Sequence, residues 1–309
     1  DKLFALLALA SDVDNPAFNP DYEAPLDETI FRRYANVFVA NGKAAELLVR
    51  AGKGKSYEFC SWIPCWTRKD FPATISTWRG REGRFKAAGE TPIDCTVVQG
   101  QQLRARAVLF DKIKTVGDVT IRSSNTITYL NSIRQSIKTL TDYPTGERIS
   151  ELLQRIPIGT ASRPHLDEPV SMQSAFASLT GEDSLLLRDE ADADPFDPDA
   201  RIPEELKTPG GSQKHTWRYW HTAVAFAVRL ADARFCTTER GYAGLLPFDA
   251  SVGADIAIVH GVNTPMVLRN RDGVRGDEYD LIGECYIHGT MYGEVLDKEG
   301  LSEGYVYLV

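Results

Sequence analysis

Cysteine, histidine and methionine are scarce in this chain of 309 residues, at five, five and three. An odd cysteine count at that density excludes a disulfide framework and points to a reducing compartment. Cys60 and Cys65 stand five apart, wider than a two-ligand zinc hook, and no second Cys/His pair matches them. Neither a metal nor a cofactor is therefore expected. No apolar run approaches the roughly 20 residues that cross a bilayer, so no membrane partner is expected. Positive charge is also in short supply: 35 Lys plus Arg against 43 Asp plus Glu leave a formal net charge of −8. Such a surface repels phosphate on average and speaks against nucleic acid as a partner.

Nucleotide-binding loops are missing as well. Gly54-Lys55-Ser56 resembles the end of a phosphate loop, but the position five residues earlier, which must be glycine, is Val49. No Gly-x-Gly-x-x-Gly occurs. Asp192, Asp194 and Asp197 approach a calcium-loop spacing, yet Asp197 stands where such a loop needs glycine. The one concentrated basic patch, Arg79, Arg81, Arg84 and Lys86 beside Trp78, reads as a solvated hairpin edge.

What remains is an ordinary globular composition, 43% apolar and 25% charged, with 24 Gly and 16 Pro. Residues 1–66 read as mainly helical. Leu26, Ile30, Tyr34, Val37 and Phe38 recur at helical spacing behind Pro25, which a first helical turn tolerates. Leu3-Phe4-Ala5-Leu6-Leu7-Ala8-Leu9-Ala10 before Ser11 looks like the tail of a signal peptide. It lacks a basic leader apart from Lys2, and the stretch reads instead as part of a longer chain.

Over residues 85–121 the period changes to two. Leu103, Ala105, Ala107 and Leu109 share one face, Arg104, Arg106, Val108 and Phe110 the other, with a tight turn at Gly100 before them. Ile127, Leu130, Ile133, Ile137 and Leu140 then form an apolar stripe after Ser124-Asn125, and Thr145-Gly146-Glu147 opens a shorter helix. Ten acidic residues against Arg188 and Arg201 make 182–205 an exposed loop, and another helix is expected over 213–232. Short apolar runs punctuated by glycine, with a hairpin signal at Asp272-Gly273, make the last 75 or so residues β again.

Neither β segment is large enough for a core of its own, and short strands with bare edges need partners. The expected fold is therefore α+β: an N-terminal helical segment (1–66), an antiparallel β barrel or sandwich formed by two β segments (67–122 with 233–309), and a helical insertion between them (123–232).

The most chemically suggestive set is Glu284, Cys285 and His288. On one strand, Glu284 and His288 share a face and Cys285 points away, which defeats a Cys–His dyad. Glu284 and His288, with Glu294 beyond the Gly289 turn, could form a polar cluster that is either structural or an acid/base or metal site, with Arg269 as a further candidate.

Several blocks carry a family likeness. They include Arg234-Phe235-Cys236-Thr237-Thr238-Glu239-Arg240-Gly241-Tyr242-Ala243-Gly244-Leu245, then Pro265-Met266-Val267-Leu268-Arg269. Tyr279-Asp280-Leu281-Ile282-Gly283-Glu284-Cys285-Tyr286-Ile287-His288-Gly289-Thr290-Met291-Tyr292-Gly293-Glu294 follows. Upstream stand Pro20-Asp21-Tyr22 and Ser61-Trp62-Ile63-Pro64 with Trp66. In this order they resemble the C-terminal region of fungal heterokaryon-incompatibility (HET) domain proteins, and residues 1–10 resemble the closing segment of the HET domain itself.

The resemblance implies a cytoplasmic fungal protein of non-self recognition and programmed cell death. The HET signature blocks are not found here, so the effector half is expected to lie outside this sequence. Cys65 stands where such proteins often carry Asp. On this reading the chain is a non-catalytic accessory or regulatory region whose partners are its own N-terminal HET effector domain and a signalling protein. Its motif residues would be architectural: glycines 241, 244, 283, 289 and 293 for backbone shape, and Trp62, Trp66 and Tyr242 as packing anchors, with Leu245 and Met291 also at motif positions. The alternative is an enzyme, or a metal- or small-ligand-binding β domain, using Glu284, His288 and Glu294.

Overall fold

The fold was analysed in a computed structural model that describes residues 15–52, 60–66, 75, 85–118, 126–156, 233–271 and 276–309. The expected helix at 213–232, the acidic loop, the Asp192 set, Gly54-Lys55-Ser56, Arg79, Arg81, Arg84 and the Asp272-Gly273 turn lie outside those residues. The chain is α+β, with few helices and many strands among the described residues. It divides into two units, the first comprising Asp1–Ile113, Asp249–Tyr286 and Thr290–Val309, the second Lys114–Phe248 and Ile287–Gly289.

In the first unit the helices come first. A wide π-type turn over Leu26–Phe31 runs directly into α1 (Arg32–Ala40), and α2 (Ala44–Leu48) follows. Of the expected stripe, Val37 packs beside Ile30 and Tyr34, and Phe38 packs against the main core. Ile30 and Tyr34 pack on Phe18, while Phe31, Ala35 and Val39 join the main core. Pro25 consequently stands just before the first turn, not inside it.

The strands are β1 (Cys95–Val98), β2 (Gln102–Val116), β5 (Asp255–Val259), β6 (Met266–Asn270), β7 (Glu278–Glu284) and β9 (Ser302–Leu308). β2, β5, β6 and β7 pair antiparallel in succession. β9 then pairs parallel with β7 and antiparallel with β2. The pairings therefore return to where they began, a ring of five strands in which each has two neighbours. One parallel pair departs from the all-antiparallel expectation. β1 adds to the other end of β2 through a hairpin whose turn, Gln99-Gly100, has positive φ at both residues.

The early and late β segments thus share one sheet, and β2 is their junction. Its alternation holds for Leu103, Ala105 and Ala107, which face α1, α2 and Trp62 in one apolar cluster. It then breaks. The register against β5 shifts between Leu109 and Asp111, and the intervening Phe110 is buried at 1% exposure, whereas Leu109 is only half-buried. A bulge inserts one residue and exchanges the faces beyond it. In β5, Ile256, Ala257, Ile258 and Val259 are all buried, which is why the later strands read as continuous apolar runs without a period. A second bulge sets Ile282 of β7 out of register with β6. Gly52 approaches it so closely that a Cβ there would lie 2.5 Å from the Ile282 carbonyl oxygen.

The second unit contains α3 (Thr126–Lys138), α4 (Ile149–Arg155), β3 (Arg234–Thr238), β4 (Ala243–Leu246) and Ile287 of β8 (Tyr286–Ile287). The last residues of β2 continue into this order as β2-β3-β4-β8, with Thr115 and Thr237 hydroxyls 2.6 Å apart. Ile133 and Ile137 of the predicted stripe are fully buried on α3, as are Leu152 of α4 and Ile156 at its C-cap. The second helix starts at Ile149, two residues after Glu147, with Arg148 at its N-cap.

Two measurements test this account. Without β2, β5 and β9 would each present a bare ladder edge, over five and seven registered pairs respectively. A fragment of residues 212–309 should therefore unfold without a cooperative transition in urea, whereas a chain retaining 85–309 should show one. On β1, burial, with the Asp94 charge adding to it, pushes the Cys95 thiol up to about 12. A raised value means that the folded state keeps the proton. The stability this gives is complete below the ordinary thiol value of about 8.5 and is lost as pH climbs towards 12. The urea midpoint should fall between about pH 9 and pH 11, less so in Cys95→Ala, and iodoacetamide at about pH 8 should label exposed Cys65 but not Cys95 until the chain unfolds.

Candidate functional site

The suggestive residues follow one another along the chain from the end of β7, but strand parity does not carry through them. The break at Cys285, between β7 and β8, ends the regular alternation before His288. The three side chains meet different partners. Glu284, 1% exposed in the first unit, accepts from the Thr264 hydroxyl at 3.2 Å and from the Ile75 amide. Glu294, also in the first unit, accepts from the Tyr292 amide at 2.6 Å and shapes its own turn. His288 belongs to the second unit, so the expected trio is divided between the two. Cys285 is buried, with its sulfur 3.5 Å from the Pro265 carbonyl.

Arg269 of β6 lies opposite Asp280 of β7 in the antiparallel register. Its Nη2 donates to Asp280 Oδ2 at 2.9 Å, while Arg271 donates to Oδ1 from Nε at 2.9 Å. Two guanidiniums on one buried carboxylate make a cross-strand clamp.

The densest polar group centres on His288, which is 0% exposed. Its Nε2 lies 2.8 Å from Glu147 Oε2. The same carboxylate accepts the Thr145 hydroxyl at 2.7 Å and Arg155 Nη1 of α4. An ionised carboxylate can only accept, so Nε2 must carry the hydrogen. Tyr143 completes the group: its hydroxyl donates to the His288 carbonyl at 2.9 Å and accepts from the Ala243 amide at 3.1 Å. Burial raises the Tyr143 phenol far above its ordinary value, so it remains a neutral donor. The His288 amide in turn donates to the Ala243 carbonyl at 3.0 Å. Imidazole, carboxylate, guanidinium and phenol therefore fasten the α3–α4 connection to the β3–β4 hairpin.

Backbone shape supports the same place. Gly289 has φ +87°, and a Cβ on it would lie 2.5 Å from Thr145 Cγ2. Tyr242 packs edge-on against Tyr143, with ring centroids 6.0 Å apart. Gly241, Gly283 and Gly293 also have positive φ, but Gly244 does not; it sits in β4 opposite Cys236 as ordinary strand. Leu245 and Met291 are buried at 1% exposure. Trp62 is fully buried, and Trp66 packs edge-on against Phe31. The partners that the sequence reading missed are Tyr143, Glu147 and Arg155. The one signal they gave was Thr145-Gly146-Glu147 as a helix opening, which says nothing of a histidine 141 residues away. Among the described residues no group of three or more His, Cys, Asp or Glu could hold a metal ion, and no helix is long and apolar enough to cross a membrane.

Residues 212–309 match the Het-6 β-barrel domain. The likeness to heterokaryon-incompatibility proteins also extends upstream of it. The chain is similar to heterokaryon incompatibility protein 6 (OR allele) of Neurospora crassa, at 25% identity over 99% of this chain and 50% of that protein. It thus spans about half the length of this curated relative. No solved structure matches the chain. The Het-6 barrel segment holds β3 to β9, His288 and Gly289, whereas β2, Tyr143, Glu147 and Arg155 are supplied from outside it.

Two substitutions measure the His288 group. Tyr143→Phe leaves the Ala243 amide without its acceptor and should cost about 1–3 kcal/mol in urea denaturation. Glu147→Gln leaves Arg155 without its counter-charge and should cost about 3 kcal/mol.

Proposed function

We propose that this chain is a non-catalytic accessory region of a fungal incompatibility protein, a β-barrel body that holds or controls a HET effector domain elsewhere in the same polypeptide. The ring β2-β5-β6-β7-β9 is then the barrel of the Het-6 barrel domain, completed by a strand from upstream. One observation carries this reading: the side chains that could have done chemistry are already spent on the protein itself. Glu284 accepts from a backbone amide and a buried threonine, His288 and Glu147 tie a loop to a hairpin, and Arg269 is clamped on Asp280. A general base needs reach to a substrate proton, and a fully buried imidazole on a carboxylate offers none.

The similarity to an incompatibility protein supports the role in non-self recognition, and the cytoplasm and cell-death signalling are the setting this role implies. The test is to express the full-length parent protein in a fungal strain and score the incompatibility reaction. Glu284→Gln and Glu294→Gln should leave the reaction intact where the thermal midpoint is unchanged, while deletion of 212–309 should abolish it. Loss of the reaction in a Glu284→Gln protein of normal stability would establish a catalytic or ligand-binding use of that carboxylate instead. A thermal shift with nicotinamide dinucleotides, nucleotides or divalent metals that Glu284→Gln removes would say the same.

A further inference from the structure

In a parallel strand pair, the amide of one residue donates across to the neighbour, and its carbonyl accepts from the amide two positions further along that neighbour. β7 and β9 begin this way. Tyr307 N–H donates to the Asp277 carbonyl at 2.9 Å and Val309 N–H to the Tyr279 carbonyl at 3.1 Å. The next bond of the ladder should run from Leu281 N–H to the Val309 carbonyl. Ser61 stands in its place: its N–H donates to the Val309 carbonyl at 2.7 Å, and its Oγ accepts from Leu281 N–H at 2.8 Å.

β7 and β9 share two registered pairs, against seven for β2 with β9 and five for β2 with β5. This seam has the fewest registered pairs in the ring, and it is the one parallel pair, the weaker kind per residue. Trp62, fully buried next to Ser61, donates its indole N–H to the Gln101 carbonyl at 3.1 Å. Its ring lies in the apolar cluster that includes Leu281, Val306 and Leu308. Ile63 is buried in the same cluster, and Pro64 is buried beside it.

We propose that the β7–β9 seam is a peptide-binding slot filled in cis, and that Ser61-Trp62-Ile63-Pro64 is its internal ligand. The ligand class is a short peptide offering a serine N–H and Oγ to the split ladder and an indole to the apolar wall beside it. While the block is seated the ring is closed. When it withdraws, β7 and β9 part first and the other pairs remain. Integrity of the barrel is thereby made conditional on a segment more than thirty residues upstream of its first strand, a route by which the preceding part of the chain can act on the barrel.

Hydrogen exchange on the whole chain, read by mass spectrometry, decides this. Ser61→Ala should accelerate exchange of the Leu281 and Val309 amides about tenfold, the effect of losing one buried hydrogen bond, and leave the Ile256 and Val267 amides of β5 and β6 at the wild-type rate. Trp62→Phe, which keeps an aromatic ring but drops the bond to Gln101, should give the same local pattern with a smaller change. Tyr143→Phe serves as the control that lowers stability without touching the seam. Unchanged exchange at Leu281 and Val309 in Ser61→Ala would overturn the proposal. So would an equal acceleration in β5 and β6, which would make Ser61 an ordinary contributor to global stability.

Discussion

Backbone hydrogen bonding on both edges of β2 is the constraint on which the barrel-forming unit depends. Fifteen residues long, β2 gives one edge to β9 and the other to β1 and then β5. Take away that strand and the late segment is an open sheet with two bare edges. Keep it, and five strands close into a ring that leaves few ladder groups unsatisfied. The Phe110 bulge lies within the β5 pairing, which continues on both sides of it, and it keeps a large apolar side chain inside.

Closure of the ring rests on a compromise at its parallel seam. There the chain fills the missing ladder step with a serine from upstream, so the helical segment and the late strands are joined by backbone chemistry as well as by apolar packing. The His288 group does comparable work in the second unit, where buried charge would be costly if any member were left alone. Glu147 avoids that cost by gathering an imidazole, a guanidinium and a hydroxyl on one carboxylate. Both arrangements consume polar side chains for architecture.

Much of this could be read from residue patterns. Ile133 and Ile137 of the apolar stripe became a buried helix face, and Leu103, Ala105 and Ala107 became one face of a strand. The glycine-rich tail became short strands and turns. Where the reading failed, an extra residue was the cause. The Phe110 bulge exchanged the faces of β2, and the break at Cys285 cancelled the parity linking Glu284 to His288. A bulge depends on what the neighbouring strand presents, so a period counted along one strand cannot foresee it.

The sequence by itself determined the class of molecule, the likeness to incompatibility proteins and the need for two distant β segments to share a sheet, because composition, periodicity and turn chemistry are local properties. Only the tertiary structure decided that Glu147, not Glu284, meets His288, and that Ser61 takes a ladder position between β7 and β9. Such pairings join residues more than a hundred positions apart. They are fixed by which backbone and charged groups are left wanting a partner once the strands have packed, and no local pattern records that.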